Sequence, residues 1–194
     1  ASWGELVQLP GDSFSSPVGD GVAVFSRDAG TGKLTFIEAH EDGVDGVSGL
    51  SVASAIAMSQ DGKQLYVTGK SSSTVVTFDR DPGTGMLTFS QKFFNAQMSA
   101  PRSLVVSPND AHVYVAGSDF GTVTVFDRDA ATGVLTFNER HKDDLEGVDG
   151  MAGVWWLVLS DDGKFLYAAA NRDDAIALFS RDADTGKLTF IEFY

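Results

Sequence analysis

The sequence of 194 residues contains no cysteine and no long apolar run. The absence of cysteine excludes disulfide bonds, thiolate nucleophiles and cysteine-ligated zinc or iron–sulfur centres. No apolar stretch approaches the roughly 20 residues that a membrane-spanning helix needs. We therefore expect no membrane insertion and no metal centre that depends on thiolate ligands.

Basic residues are also scarce. The sequence has 14 Lys and Arg against 27 Asp and Glu, which gives a formal net charge of −13. Binding of nucleic acid or of an anionic membrane surface needs a Lys/Arg footprint, and so we expect neither. An acidic surface favours cations and basic partners. An acidic, cysteine-free chain with 21 Gly suits a periplasmic or secreted protein, although the same composition also fits a cytosolic one.

Common catalytic motifs are missing as well. The sequence has no Gly-x-Ser-x-Gly nucleophile elbow. It has no phosphate-binding loop and no dinucleotide fingerprint, so we expect no organic cofactor. The three histidines, which we place in loops or turns, do not lie beside a Ser or Cys in the context of a nucleophile; they are His40, His112 and His141.

What the sequence does contain is an internal repeat. The segment Phe-Ser-Arg-Asp-Ala-Gly-Thr-Gly-Lys-Leu-Thr-Phe at residues 25–36 recurs in similar form at 78–89, 126–137 and 179–190. A period near 50 residues is typical of β-propeller blades. The β-branched and aromatic residues before each copy favour a strand. The Asp-x-x-Thr-Gly stretch predicts a turn, because Asp can bond the backbone ahead of it and Gly tolerates positive φ.

A second signature lies between these hairpins. It is a tight polar turn followed by Leu/Val-Tyr, at residues 59–68, 107–116 and 160–169. An apolar strand precedes each turn, so one repeat contains four strands joined by short turns, which is a propeller blade. The sequence thus predicts an all-β, single-domain β-propeller with four four-stranded blades, at approximately residues 1–47, 48–98, 99–149 and 150–194.

The first blade departs from the repeat, as terminal repeats often do. Residues 6–9, Leu-Val-Gln-Leu, fit the innermost strand. Residues 13–18 make a poor second strand, because Pro17 cannot donate to a β-ladder. We therefore expect a degenerate first blade.

Two motifs resemble those of a known family. Asp61-Gly-Lys-Gln-Leu-Tyr-Val-Thr-Gly69, followed by Ser73-Thr-Val, resembles the YVTN-type repeat. The Asp-x-x-Thr-Gly-x-Leu-Thr-Phe hairpin is similar to that of the lactonase-like β-propellers. The resemblance runs from Gly21 onward. It implies the fold more strongly than the function, because such repeats serve enzymes and scaffolds alike.

The family usually builds seven or more blades, whereas this sequence holds material for four. Four blades can close into a ring alone. Two chains can instead complete an eight-bladed ring with twofold symmetry, or the sequence is a piece of a longer protein. The partners that we expect are therefore a second copy of the chain or other protein chains.

The two long linkers between blades, residues 40–50 and 141–151, are similar and acidic. The fold resemblance implies that they lie on the face where propellers commonly bind ligands. Oxygen atoms on flexible, Gly-rich loops suit Ca²⁺, although no EF-hand spacing is present. His40 and His141 open these linkers and are candidate ligand-binding residues. The candidate metal ligands, which are alternatively solvated loop acids, are Asp42, Asp45, Asp143, Glu146 and Asp149.

Residues that break the repeat are better functional candidates. Trp155 and Trp156 replace Ser54 and Ala55 of the matching repeat, on an inner strand. Because strand side chains alternate, one Trp points to each face. One can stack on a ligand in the central channel, or both fill space between blades.

Arg102 is the other unusual residue. The stretch Ala100-Pro-Arg-Ser103 resembles a Gly-Pro-Arg-His stretch in lactonase and cycloisomerase relatives, and this resemblance implies that Arg102 faces a substrate. Ser103 stands where the family has His, which removes the obvious general acid–base.

Three functions fit these observations. The favoured one is a non-catalytic binding or assembly module outside the cytoplasm, because an acid–base set is missing. The second is a lactonase-like hydrolase or cycloisomerase, with Arg102 as anion holder and a loop carboxylate as base. The third is a propeller that binds Ca²⁺ or carbohydrate through the acidic linkers and Trp155 or Trp156.

Overall fold

The computed structural model describes residues 20–194 and the backbone of residues 5–7. This part of the chain consists of β-strands, one short 3-10 helix (Ala96–Met98) and connecting turns. None of its helical segments is long and apolar enough to cross a membrane. The strands are β1 (Glu5–Val7), β2 (Gly21–Arg27), β3 (Leu34–Glu41), β4 (Ala53–Met58), β5 (Gln64–Gly69), β6 (Thr74–Arg80), β7 (Leu87–Phe94), β8 (Pro101–Val106), β9 (His112–Gly117), β10 (Thr122–Arg128), β11 (Leu135–Lys142), β12 (Val154–Leu159), β13 (Phe165–Ala170), β14 (Ala175–Arg181) and β15 (Leu188–Phe193).

The strands form four antiparallel sheets in chain order, which we call blades 1 to 4. Blade 1 contains β1–β3, blade 2 β4–β7, blade 3 β8–β11 and blade 4 β12–β15. The prediction of an all-β protein built from four-stranded blades is confirmed for blades 2, 3 and 4, and the described part of blade 1 has three strands.

The hairpin between the last two strands of each blade is held by its Asp. In blade 3, Asp129 Oδ1 accepts hydrogen bonds from the N–H of Ala131 and Thr132, at 3.0 and 2.7 Å, and from Thr132 Oγ1 at 2.8 Å. These bonds lower the pKa of the Asp129 carboxyl. Asp28, Asp81 and Asp182 cap their turns in the same way. The prediction that these acids are turn caps is therefore confirmed.

A tyrosine joins neighbouring blades, in a contact that we call the tyrosine latch. Tyr114 Oη of blade 3 donates to the carbonyl of Gly186 in blade 4 at 2.8 Å, and Arg181 Nε donates to Tyr114 Oη at 2.6 Å. Blades 2 and 3 are joined likewise by Tyr66, Gly133 and Arg128. The repeated arginines Arg128 and Arg181 therefore pack between blades.

A second contact, the outer latch, joins the last strands of neighbouring blades. An acidic or amide side chain accepts a hydrogen bond from the backbone N–H of a leucine in the next blade. The pairs are Glu38 with Leu87 at 2.5 Å, Gln91 with Leu135 at 3.0 Å and Glu139 with Leu188 at 2.7 Å. Apolar side chains fill the space between the blades, with one buried cluster at each junction.

Blade 1 differs from the prediction. β1 pairs directly with β2, with Leu6 opposite Val24, so it takes the place that the second strand holds in the other blades. The prediction that Leu6 and Val7 belong to the innermost strand is therefore wrong. Alternating apolar residues favour a strand without specifying which free edge it joins. The predicted second strand at residues 13–18 lies outside the described residues.

Candidate functional site

A β-bulge near the start of each inner strand places one extra residue at equivalent positions of blades 2, 3 and 4. The strand register shifts between Ala53 and Ala55, between Pro101 and Ser103, and between Val154 and Trp156. The bulged residues, Ser54, Arg102 and Trp155, break the inward–outward alternation of their strands. In blades 2, 3 and 4 the side chain of the bulged residue therefore points in a direction that a regular strand would not give it.

These bulged residues connect neighbouring blades. Ser54 Oγ donates a hydrogen bond to the carbonyl of Pro101 at 2.6 Å. The guanidinium carbon of Arg102 lies 3.6 Å from the centre of the Trp155 ring. Such a cation–π contact is worth about 0.5–1 kcal/mol at an exposed site. The contact holds the guanidinium plane against the indole.

One edge of Arg102 is also fixed. Its Nε donates to Ser118 Oγ at 3.0 Å, and Ser118 Oγ donates to the carbonyl of Ala100 at 3.2 Å. Within the described residues Arg102 makes no other hydrogen bond, so its two terminal nitrogens keep their donors for a ligand. A guanidinium with a stacked face and a free edge suits two-pronged binding of a carboxylate or phosphate.

The two tryptophans point to different sides at the bulge. Trp155 contacts Arg102, whereas Trp156 lies on the side of blade 4 that faces away from blade 3. Both are largely exposed, at 44% and 58% of their surface. The bulge at Trp155 interrupts the strand alternation on which the prediction for the pair rested, and only the structure shows which Trp meets Arg102.

Ser103 does not replace the missing histidine. Its side chain is buried, and its Oγ accepts a hydrogen bond from the backbone N–H of Leu157 at 3.1 Å. This hydroxyl joins blade 3 to blade 4, so a proton-transfer group has to come from elsewhere.

A cavity of about 310 Å³, which we call the acidic cavity, lies between the turns of blades 3 and 4. Neither Arg102 nor Trp155 lines it, but Asp119 follows Ser118, the partner of Arg102, and Gly153 lies two residues before Trp155. Its lining residues are Asp119, Phe120, Gly121, Lys142, Asp143, Asp144, Leu145, Ala152, Gly153 and Arg172.

Asp143 is the most perturbed acid of this cavity. Burial raises the pKa of its carboxyl, and the negative charges of Asp173, Asp144 and Asp149 add to this effect. The hydrogen bond that its Oδ1 accepts from Met151 N–H, at 2.8 Å, opposes the rise. A carboxylate with a raised pKa is a better proton acceptor at neutral pH than an ordinary Asp.

The equivalent acid of the other long linker has the same backbone role. Asp42 Oδ1 accepts the N–H groups of Gly49 and Leu50, at 2.6 and 3.0 Å. Asp42 and Asp143 therefore share a linker-folding function, and only Asp143 lines the acidic cavity.

Three acids lie close enough to share a cation, namely Asp143, Asp149 and Asp173, whose oxygens are within 4.8 Å of one another. Two of the five predicted metal ligands belong to this group, while Asp42, Asp45 and Glu146 do not. Asp173 was missed because it lies in the β13–β14 turn, distant in sequence from the linker. Calcium binding stays a prediction.

The prediction that the histidines lie in loops is wrong. His40 lies in β3, His141 in β11, and His112 begins β9. His40 Nε2 lies 3.2 Å from Glu38 Oε1, and His141 Nε2 lies 3.0 Å from Glu139 Oε1. Both rings also pack on a phenylalanine of the next blade. His40 and His141, which we predicted to bind a ligand, therefore contact the glutamates of the outer latches. We placed them in loops because Gly and Asp residues follow them closely, whereas β3 and β11 include both histidines.

Comparison with known proteins adds to this geometry. The family described as lactonase, 7-bladed β-propeller, matches residues 18–148 and 139–194. A search of curated proteins finds no match. Among solved structures, the chain is similar to a proposed 6-phosphogluconolactonase from Bacteroides uniformis, with 25% identity and a TM-score of 0.75, over 90% of this chain and 51% of that one.

Two further structures give the same result. A proposed 6-phosphogluconolactonase from Bacteroides fragilis has 23% identity and a TM-score of 0.71, over 90% of this chain and 48% of that one. The periplasmic gluconolactonase of Pseudomonas aeruginosa has 24% identity and a TM-score of 0.74, over 90% and 50%. The chain therefore spans about half the length of these proteins.

The comparisons correct the functional expectation. The favoured function, a non-catalytic binding or assembly module, is wrong, because the matching family and the similar structures point to an enzyme of the lactonase type. The expectation placed too much weight on the missing histidine, since a linker carboxylate can also transfer protons. The resemblance seen in the repeats is confirmed: the chain belongs to the lactonase family of seven-bladed β-propellers.

Proposed function

We propose that this chain is part of a lactonase-type hydrolase that holds an anionic sugar lactone at Arg102 and opens its ring with water. The observation that carries the proposal is the Arg102–Trp155 pair, in which the guanidinium lies 3.6 Å over the indole. The similarity to gluconolactonases supports the class of substrate.

Arg102 is suited to hold an anion for two reasons. Stacking on Trp155 and the bond to Ser118 fix the side chain before a ligand arrives, so less conformational entropy is lost on binding. The free edge of the guanidinium matches the spacing of two oxygens in a phosphate or carboxylate. A phosphorylated aldonolactone presents such a group.

The acidic cavity supplies the proton acceptor. We assign this role to Asp143, whose raised pKa keeps the carboxylate basic near neutral pH. It takes a proton from water as the oxygen of that water bonds to the lactone carbonyl carbon. The bond between this carbon and the ring oxygen then breaks, and the ring oxygen receives a proton, which yields a hydroxy acid.

The first test compares hydrolysis of 6-phosphogluconolactone and of unphosphorylated gluconolactone. Two hydrogen bonds to a charged group are worth about 1.5–3 kcal/mol each. Arg102→Ala should therefore lower kcat/KM for the phosphorylated lactone by about 10²- to 10⁴-fold, with a smaller loss for the neutral one. Arg140→Ala, on the outer strand β11, is the control and should leave both rates unchanged.

Either of two results would contradict this proposal. One is turnover no faster than spontaneous hydrolysis for both lactones. The other is an Arg102→Ala variant that matches the unsubstituted chain on both substrates.

The second test separates catalysis from linker folding. Asp143→Asn should lower kcat and remove the basic group from the pH profile of kcat/KM. Asp42→Asn is the matched control, because it perturbs an equivalent linker outside the cavity. Equal loss of activity in the two variants would show that Asp143 acts only through the fold.

We also propose that the protein works outside the cytoplasm. The absence of cysteine and the acidic surface support this location, as does the likeness to a periplasmic gluconolactonase. Cell fractionation tests it, and recovery of the protein only with cytoplasmic markers would contradict it.

A further inference from the structure

An open crevice of about 600 Å³ lies between the hairpin of blade 4 and the edge of blade 3, and we call it the blade 3–4 crevice. It lies at the end of the strands opposite to Arg102, because β9 begins at His112 and runs antiparallel to β8, which begins beside Arg102. A strand of six residues spans about 20 Å, so the crevice is well separated from the Arg102–Trp155 pair. Its lining includes His112, Asp127, Phe137, Asn138, Asp184 and Lys187.

The lining of this crevice departs from the repeat. Strand pairing gives His112 the position of Gln64 in blade 2, and Asp127 the position of Asp79. Compared with the equivalent place between blades 2 and 3, the crevice has His112 for Gln64, Asn138 for Ser90, Asp184 for Ala131 and Lys187 for Val134. Residues that recur in every blade are explained by the needs of the blade. These substitutions instead add ionisable groups at one junction, which is typical of a binding site.

Phe137 contributes an aromatic ring to the crevice. In blades 1, 2 and 4 the equivalent phenylalanine packs edge-on against a phenylalanine of the neighbouring strand, with ring centres 5.5 to 6.0 Å apart. In blade 3, Phe126 packs on Phe93 at 4.8 Å, and within the described residues it forms no such pair with Phe137. Phe137 is 45% exposed. Its ring is therefore available to pack on a ligand.

Within residues 20–194, one ring nitrogen of His112 has no hydrogen-bond partner. Nδ1 lies 2.9 Å from Nη2 of Arg181, and because a guanidinium only donates, Nδ1 accepts and Nε2 carries the hydrogen. Nε2 lies 3.8 Å from Asp127 Oδ1, which is beyond hydrogen-bond distance. The His112 side chain is only 4% exposed. A buried donor without a partner is costly, so an acceptor atom of a ligand would bind there favourably.

The remaining polar groups of the crevice provide both acceptors and donors. Asn138 Nδ2 donates to Asp127 Oδ1 at 2.6 Å and to the carbonyl of Thr185 at 2.9 Å, which joins the two blades. Elsewhere in the described part of the chain, nothing donates to Asp127 Oδ2 or Asn138 Oδ1. The side chains of Asp184 and Lys187 are exposed and form no ion pair there. The crevice therefore holds carboxylates, an amide oxygen and an ammonium group that are free to bind a ligand.

We propose that the blade 3–4 crevice is a binding site for a neutral saccharide ring. One face of the sugar would pack on Phe137. Its hydroxyl groups would donate to Asp127 and Asp184, and they would accept from Lys187 and His112 Nε2. A hydroxyl both donates and accepts, so it suits a site that contains both kinds of group. An anionic ligand would be repelled by the two carboxylates, and a cationic one by the ammonium group. Saccharide binding at this place is independent of the proposed hydrolysis.

Titration of the isotope-labelled chain, followed by NMR, tests this proposal with probes that are not lactones: the methyl α-glycosides of glucose, galactose and mannose. An open site should hold a ring of this size with a dissociation constant of about 1–10 mM. At least one probe should shift the amide signals of His112, Phe137 and Lys187, with those of Arg102 and Trp155 unchanged. The absence of a saturable shift with every probe would overturn the proposal, as would shifts confined to the Arg102–Trp155 pair.

The same titration with ethylguanidinium and with inorganic phosphate tests the choice of a neutral ligand. Neither ion should saturate the crevice at the concentrations at which a glycoside does. Tighter binding of either ion than of every glycoside, with shifts at the crevice residues, would overturn the assignment of a saccharide.

Two variants test the crevice residues. Phe137→Ala should raise the dissociation constant of the glycoside at least about tenfold, because the sugar loses its aromatic contact. Asp184→Ala combined with Lys187→Val gives blade 4 the residues of the blade 3 hairpin, Ala131 and Val134, so folding should be preserved. This double variant should also raise the dissociation constant at least about tenfold. An unchanged constant in the double variant would overturn the proposal, whatever Phe137→Ala does to the fold.

Asp79→Asn is the matched control. Asp79 has the position of Asp127 at the junction of blades 2 and 3, where its Oδ1 accepts from Gln64 Nε2 at 3.4 Å. This variant should leave the dissociation constant of the glycoside unchanged, whereas Asp127→Asn should raise it. Equal rises in the two variants would show that the glycoside does not bind in the blade 3–4 crevice.

Discussion

The tyrosine latch can be tested by removing a single oxygen. Tyr114→Phe keeps the aromatic ring, which is fully buried between blades 3 and 4. It deletes the hydroxyl that donates to the carbonyl of Gly186 and accepts from Arg181 Nε, at 2.8 and 2.6 Å. The change in the free energy of unfolding therefore reports on these two hydrogen bonds, with little change in packing.

The expected loss of stability follows from the two polar groups that lose their hydrogen-bond partner. The Gly186 carbonyl and the Arg181 Nε–H both remain buried without a partner, and each such group costs about 1–3 kcal/mol. Arg181 keeps its bonds to the carbonyl of Gly163 and to Asn109, both at 3.0 Å, so its charge stays partly compensated. We expect a total loss of about 3 kcal/mol. For a chain of this size, that lowers Tm by about 6–12 °C.

The same substitution at the fourth repeat is the control. Tyr167 is exposed and its hydroxyl makes no hydrogen bond in the described residues, so Tyr167→Phe should change the free energy of unfolding by less than about 0.5 kcal/mol. Both variants are compared by urea unfolding, at a dilution where light scattering gives the mass of one chain. Equal effects at positions 114 and 167, or a loss below about 0.5 kcal/mol for Tyr114→Phe, would refute the latch.

Three further predictions concern stability. His112 Nδ1 lies 2.9 Å from Arg181 Nη2, which requires a neutral ring that accepts a hydrogen bond. Burial lowers the pKa of His112, the charge of Arg181 lowers it further, and Asp127 and Asp182 oppose both effects. A lowered pKa means that this stabilisation is complete above the unfolded value of 6.5 and is lost as the pH falls towards the folded value. His112→Gln copies Gln64 of blade 2, which accepts a hydrogen bond from Arg128, and it should reduce the loss of stability between pH 7 and 5. Urea unfolding at both pH values tests this, and an equal loss in the variant and in the unsubstituted chain would contradict it. Gly117→Ala should destabilise the chain by about 1–3 kcal/mol, because the new Cβ would clash with the Met98 carbonyl oxygen. Gly30→Ala, whose nearest contact is at 3.6 Å, should be nearly neutral in the same urea experiment, and a similar loss in both variants would argue against the steric cause. Val52 has a φ of 52°, which is strained for a β-branched residue, so Val52→Gly should raise Tm slightly or leave it unchanged, and a clear fall in Tm by differential scanning calorimetry would count against strain.

Local repetition explains why most of the fold could be predicted. The Asp-x-x-Thr-Gly hairpins depend on contacts within four residues, such as those of Asp129 with Ala131 and Thr132. Their recurrence near every 50 residues also fixes the order of the strands. Blade 1 is the exception, because its first residues depart from the repeat and the pattern could not show which edge β1 joins.

Only part of the candidate site could be predicted from the sequence. Arg102 and Trp155 stood out because they break the repeat, and the structure brings them within 3.6 Å. The bulge that selects Trp155 over Trp156 has no local signal, since it depends on pairing with the neighbouring strand. Asp173 was missed for a similar reason, because its closeness to Asp143 arises only after blades 3 and 4 pack.

Position 103 shows how the repeat constrains the chemistry. Ser103 lies one residue after the bulge and is buried at the junction with blade 4, where its hydroxyl accepts the Leu157 N–H. This position therefore contributes to blade packing in this chain. A proton acceptor for the proposed hydrolysis therefore has to be another residue, and we assign this role to Asp143 of the linker between blades 3 and 4.

The charges around the site bear on how the substrate would be oriented in the proposed reaction. Arg102 presents an unpaired cationic edge, whereas the acidic cavity is lined by three acids and two bases, namely Asp119, Asp143, Asp144, Lys142 and Arg172. In the proposed reaction Arg102 binds the anionic substituent of the substrate, so we expect the neutral lactone ring at Asp143. Ring opening converts this neutral group into a carboxylate beside the cavity acids. In the proposed reaction this new carboxylate would lie close to Asp143, and the repulsion between the two anions would favour release of the product.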